Sequence, residues 1–143
     1  MVGKIIASNY FDLGSQSVKV GYFLIIYDEL FDDNTKGNGN MIGLKITSNT
    51  RVDCNYKIPI NHYSLKKPSV LLCSKFYVID KKTQQIDVLG GVKDGYMDRV
   101  FFNIDKFYMA CKKQLKERRK YFNDVKGISS KNWFKSLIDR FRF

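Results

Sequence analysis

This chain is poorly equipped for metal or cofactor chemistry. It has one histidine, His62, and three widely spaced cysteines, Cys54, Cys73 and Cys111, with no CxxC pair and no Cys/His cluster. A zinc site needs about four soft ligands at short spacings, so none is expected. There is no Walker lysine loop and no GxGxxG following a strand. A lone histidine without a Gly-x-Ser-x-Gly motif argues against a hydrolase triad. Acidic residues are too dispersed for a two-metal nuclease. Any enzymatic activity is therefore expected to need no cofactor. The scattered, odd-numbered cysteines read as small buried hydrophobes in a reducing compartment. No apolar run approaches the roughly 20 residues of a membrane span. The opening Met1-Val-Gly-Lys-Ile-Ile-Ala-Ser-Asn9 lacks the core of a signal peptide. A cytoplasmic protein without a membrane span is the expectation.

What the chain does have is core-forming residues and positive charge. Its 143 residues suit one domain, and a hydrophobic fraction of 44% with 15% aromatics can bury a core. Lys and Arg number 25 against 14 Asp and Glu, a net charge of +11. With an isoelectric point near 9.6, that balance points to a polyanionic partner, nucleic acid first. The excess is uneven: residues 106–143 carry +9 and the first 105 residues only +2.

Most of the first hundred residues read as strands. Gly21–Tyr27 is nearly continuous apolar sequence, as in a strand buried on both faces. Met41–Ser48 alternates, while Val52–Ile58 and Ser69–Ile79 are rich in β-branched and aromatic residues. Gln85–Leu89 is a further short strand. The Gly/Asn-rich stretch 32–40 is a long loop, and Gly90-Gly91 and Asp94-Gly95 read as turns. Short strands at this spacing indicate a small barrel or sandwich. After Val100 the pattern turns helical. Ile104, Phe107, Tyr108, Cys111 and Leu115 make one stripe, extended by Phe122, and Lys112, Lys113, Lys116, Arg119 and Lys120 lie opposite. Gly127 breaks the pattern, Ser129-Ser130 can cap the next segment, and Trp133, Phe134, Leu137, Ile138 and Phe141 form a second stripe. The division expected is a barrel core at 1–103 and a basic helical segment at 104–143 packed on it.

Metal-free RNA cleavage needs little machinery, because the 2′-hydroxyl is itself the nucleophile. The protein must align it, remove its proton and neutralise charge on the phosphorane. Ile46-Thr47-Ser48-Asn49 ends a strand with two adjacent hydroxyls, and Lys19 precedes the buried strand at Gly21. If those strands pair, a cation and two hydroxyls can meet at one rim. His62, in the polar loop Asn61-His62-Tyr63, is a candidate proton shuttle or a plain surface histidine. Tyr10, Tyr22 and Tyr27 can stack bases or pack a core. Lys45, Asn49, Arg51 and Lys75 join Tyr22 as candidate RNA contacts.

Three segments occur in the order found in a known family. Gly14-Ser-Gln-Ser-Val-Lys-Val-Gly-Tyr-Phe-Leu-Ile-Ile26 resembles the opening of MazF/PemK-type toxins. Lys45-Ile-Thr-Ser48 resembles the family's Ile-Thr-Ser strand end. Leu65-Lys-Lys-Pro-Ser-Val-Leu-Leu-Cys-Ser-Lys-Phe-Tyr-Val-Ile-Asp-Lys81, with a glycine soon after at 90 or 91, resembles a third family segment. The resemblance spans about residues 14 to 110. It implies an SH3-like barrel, a homodimer, and an endoribonuclease that cuts single-stranded RNA to a 2′,3′-cyclic phosphate and a 5′-hydroxyl. It also implies an antitoxin protein as partner. Thr47 falls at the family's threonine beside the scissile phosphate, with Ser48 its neighbour. The family's arginine aligns with Gly21, two positions from Lys19. Positions where some relatives carry an acid or arginine are Leu72 and Ser74 here. The rival reading is a non-catalytic barrel that binds nucleic acid, or that poisons a DNA enzyme such as gyrase as CcdB toxins do. A third reading has the Trp133–Phe141 stripe engage a partner groove or a membrane surface.

Overall fold

The structure, a computed structural model, describes residues 1–29 and 39–122, and the side chains of 119–122 stand outside that description. Six strands precede one helix: β1 (Lys4–Asp12), β2 (Ser17–Asp28), β3 (Asn40–Thr47), β4 (Lys57–Ile60), β5 (Ser69–Asp80), β6 (Ile86–Gly91) and α1 (Asp94–Phe122). The strands form one antiparallel sheet ordered β4-β5-β3-β2-β1-β6, curled into a half-barrel. The expected mainly-β barrel with a C-terminal helix is the architecture found. The 32–40 loop falls, but for its last two residues, outside the described residues, as does the whole Trp133–Phe141 stripe.

β2 is the central strand. Phe23, Leu24, Ile25 and Ile26 are all fully buried, so both of its faces are covered, as its continuous apolar run requires. Leu24 and Ile26 face inward, joining Ile5, Leu44, Ile58, Leu71 and the helix residues Met97, Val100 and Ile104 in the main core. Phe23 and Ile25 face outward into a smaller cluster with Ile6, Met41 and Ile79, roofed in part by Tyr10 and Tyr77. Each such aliphatic or aromatic side chain contributes about 1.5–3 kcal/mol by leaving water. Outward-facing Gly43 lets the strands pack closely there, since a methyl group at that position would sit 3.0 Å from Phe23 Cβ and push its neighbours back by a few tenths of an ångström.

Side chains close the seam between the two edge strands. Tyr96 of α1 donates to the Pro59 carbonyl of β4 at 2.9 Å. His62, just past β4, donates from Nε2 to the Gly91 carbonyl of β6 at 3.2 Å. Its Nδ1 accepts from the Ser64 amide at 3.2 Å and pairs with the Ser64 hydroxyl at 2.5 Å. Gly90, at φ +150°, lies under this imidazole, and any side chain there would strike His62 and Tyr63. At the far end of β2, buried Asp28 accepts from Lys81 at 2.8 and 2.9 Å and lies 3.6 Å from the N-terminal ammonium.

Several elements begin elsewhere than the sequence pattern suggests. β4 occupies 57–60 rather than 52–58, because Lys57 Nζ donates to the carbonyls of Thr50 and Val52 and folds 50–56 into a loop. The Asp94-Gly95 pair opens α1 rather than making a turn, with Asp94 in its first turn, where a carboxylate complements the helix dipole. The helix thus starts ten residues before Ile104. Of its apolar stripe, Ile104 and Tyr108 are buried, and Phe107 packs edge-on against Tyr56 at 5.4 Å between centroids. Lys112, Lys113 and Lys116 are exposed on the outer side.

Candidate nucleic-acid interface

The sheet register decides which candidate residues share a face. Tyr10 pairs with Lys19 and Asp12 with Ser17 on the β1–β2 hairpin. Phe23 pairs with Lys45 between β2 and β3. Alternation puts Tyr10, Asp12, Lys19, Gly21, Phe23, Lys45 and Thr47 on the outer face, opposite the helix. Tyr77 continues that face on β5, and exposed Lys75 lies in the irregular stretch between Leu71 and Phe76. Tyr22 pairs with Ile46 of the main core, so it points to the other side of the sheet and cannot flank a phosphate held by Lys45.

Lys45 is the centre of this surface. Its ammonium lies 4.2 Å from the Tyr10 ring centroid and 5.0 Å from that of Phe23. Tyr10, Phe23 and Tyr77 pack edge to face around it, with centroids 5.2–5.7 Å apart. Such cation–π contacts are worth about 0.5–2 kcal/mol and hold the ammonium in place without neutralising it. Among the described residues no carboxylate lies within ion-pair distance of it. The ammonium occupies the space above Gly21. A methyl group at residue 21 would collide with Lys45 Nζ and lie 2.8 Å from Tyr10 Cε1. The missing side chain at 21 therefore makes room for a cation from the neighbouring strand. One step beyond the Tyr22–Ile46 pair, the register sets Gly21 opposite Thr47. Lys45 and the strand-end threonine, two residues apart on β3, thus share the outer face.

Lys19 is on the same face, but Asp12 claims it at 2.8 Å. The Lys19 ammonium, the Ser15 hydroxyl and the Gly14 amide hold the half-buried Asp12 carboxyl down at about 2, so the pair is ionised at neutral pH. Asp12 in turn raises the Lys19 ammonium above its usual range. Thr47 Oγ1 accepts from the Asn49 amide at 3.1 Å, and Asn49 Oδ1 accepts from the Arg51 amide at 3.3 Å. These bonds fix the turn after β3 and leave the Thr47 hydroxyl proton free to donate. The side chains of Ser48, Asn49 and Arg51 are exposed on that turn. His62 is at the seam, with both ring nitrogens engaged. Leu72 is buried, and Ser74 pairs with Cys54 Sγ at 3.3 Å. Burial raises the Cys73 thiol to about 12, so it stays protonated.

Neither the known protein families nor the curated proteins provide a match to this chain. Its chemistry must therefore be argued from the site itself. Sequence reasoning named Lys45 only as a flanking contact. The cross-strand signal that gives it the central place is a glycine opposite a strand-end threonine, with a lysine diagonal to it. That signal is visible only once the β2–β3 register is known.

Proposed function

We propose that this protein binds single-stranded RNA across the outer face of its sheet and cleaves it without a metal ion. It would be the toxin of a toxin–antitoxin pair resembling the MazF/PemK type. One observation carries the reading: an un-neutralised ammonium, Lys45, is held by aromatic rings over Gly21, on the face shared with Thr47. Gly21 is the position where that family carries arginine, so Lys45 supplies by a different route the cation that the sequence lacks there. Lys45 would neutralise a non-bridging phosphate oxygen. The Thr47 hydroxyl would donate to the same phosphate while the 2′-oxygen, giving its proton to water, attacks phosphorus and the 5′-oxygen leaves, taking a proton from water. Tyr10 and Tyr77 border the patch and offer ring edges to a neighbouring base. Exposed Arg51, on the turn after β3, and exposed Lys75 of β5 would hold flanking phosphates. The partners implied are single-stranded RNA, an acidic antitoxin and a second copy of the chain, with cytoplasmic action.

A second reading is favoured by the ties on Lys19 and His62: the barrel binds nucleic acid, or an enzyme acting on it, without cutting. Incubating the purified chain with single-stranded RNA in EDTA separates the two. Discrete fragments with 2′,3′-cyclic phosphate ends are expected. Saturable binding with no new ends would replace the nuclease by the binder, and absence of binding would remove both the nuclease and the RNA binder, leaving only the enzyme-binding form of the second reading.

A further inference from the structure

The loop joining β4 to β5 carries chemistry that the Lys45 patch does not use. It lines an open pocket of about 460 Å³ whose walls include Ile60, His62, Tyr63, Lys66 and Lys67. The pocket lies within the size range of small-ligand sites. His62 and Tyr63 stack with centroids 4.2 Å apart and planes 31° from parallel. The bonds from His62 to Gly91 and Ser64 lock the imidazole, and a hydrogen bond from the Leu65 amide to the His62 carbonyl at 3.0 Å fixes the loop's turn. Tyr63 is 87% exposed. A large aromatic ring that is pinned on a rigid neighbour yet open to water is preordered for stacking. Lys66 and Lys67 add two exposed ammonium groups on the same pocket wall.

We propose that this pocket is a second nucleotide subsite: Tyr63 stacks one base of a single-stranded RNA, and Lys66 and Lys67 hold its phosphate. Stacking platforms combined with basic side chains are the general means of gripping single strands without reading their sequence. β4 ends in this loop and pairs with the start of β5, which pairs with the Thr47 end of β3. The loop thus lies two strands across the sheet from the Thr47 end of β3. The proposal rests on RNA being the ligand, but it concerns a different loop from the reacting patch.

The single histidine makes the test direct, since the His62 ring proton resonances have no counterpart elsewhere in the chain. The full-length protein is titrated with uridine 5′-monophosphate, with inorganic phosphate, and with a short single-stranded oligoribonucleotide carrying 2′-O-methyl groups to prevent cutting. The mononucleotide and the oligonucleotide are expected to shift the His62 signals saturably, and phosphate alone much less. Tyr63→Ala is expected to weaken that response about tenfold, Tyr63→Phe to keep it, and Lys66→Ala with Lys67→Ala to weaken it similarly. Lys45→Ala should leave the mononucleotide response unchanged, so loss of the cleavage site does not mask this one. No His62 shift with either nucleotide, or an undiminished shift in both the Tyr63→Ala and the double-lysine variants, would overturn the proposal. A shift with free nucleotide but not with the oligonucleotide would overturn it too, by making the pocket a mononucleotide site rather than part of an RNA track.

Discussion

At the scale of single residues, the site depends on a side chain that is not there. Gly21 carries no strain to explain it. Its value is the volume left for Lys45 Nζ and the Tyr10 ring edge. Gly21→Ala is expected to push the ammonium out of its aromatic seat. RNA cleavage should fall by one to two orders of magnitude, while the melting temperature moves only slightly, because Lys45 can turn outward to water. Parallel activity assays and thermal melts check both halves. The Asp12–Lys19 pair gives a pH prediction with a definite sign. The Asp12 carboxyl is held at about 2 in the fold against 3.8 for an unperturbed aspartate. Whatever stability the pair lends the hairpin is complete above about pH 4 and disappears as pH falls through about 2. Neutral-pH activity should therefore not depend on this titration. An NMR titration of the Asp12 carboxyl should show a midpoint near 2, moving toward 3.8 in Lys19→Ala.

At the scale of elements, β2 carries the fold and β3 carries the site. Phe23→Ala removes a fully buried ring that packs against Tyr10 and Tyr77, and is expected to cost about 3–5 kcal/mol. Val20→Ala, at a position 74% exposed, should change stability by less than about 0.5 kcal/mol. Urea unfolding of the two variants tests whether the outer cluster is a true second core. Burial of β2 on both faces was legible from its apolar run. The edges of the sheet were not. β1 mixes Ser8, Asn9 and Asp12 among its apolar residues, which hides a strand whose far half pairs with β2 alone. β4 is only four residues long. The helix start was hidden because Asp-Gly has the composition of a turn, while here the Asp lies in a first helical turn. Thr47 and its neighbours could be named from sequence because their chemistry is local. The role of Lys45 could not, because it arises from which residue stands across a strand gap, and register is a property of pairing.

At the scale of the molecule, the charge is arranged in two zones. The barrel's outer face offers one firmly seated ammonium among exposed basic neighbours, while exposed Lys112, Lys113 and Lys116 on α1 add a broader field. The field should set how fast RNA arrives, and the seated ammonium what happens to it. Binding to a non-cleavable single strand should weaken linearly with the logarithm of salt concentration, each phosphate contact contributing about 0.7 to the slope. Lys112→Ala with Lys113→Ala should slow association while leaving the slope nearly unchanged and cleavage of bound RNA intact, because those lysines lie on the side of the sheet away from Thr47. Lys45→Ala should lower the slope by about one contact and also stop cleavage. No described helix is long and apolar enough to cross a membrane, and α1 instead uses its apolar stripe against the barrel through Met97, Val100 and Ile104.

A double-mutant cycle on cleavage rate tests the account most directly. The wild type, Lys45→Ala, Thr47→Ala and the double variant are compared on one single-stranded oligoribonucleotide in EDTA. If ammonium and hydroxyl act on the same phosphate, each single change should cost about 10²- to 10³-fold, and the double variant little more than either. Wild-type cleavage that survives both substitutions, or losses that simply multiply, would contradict it.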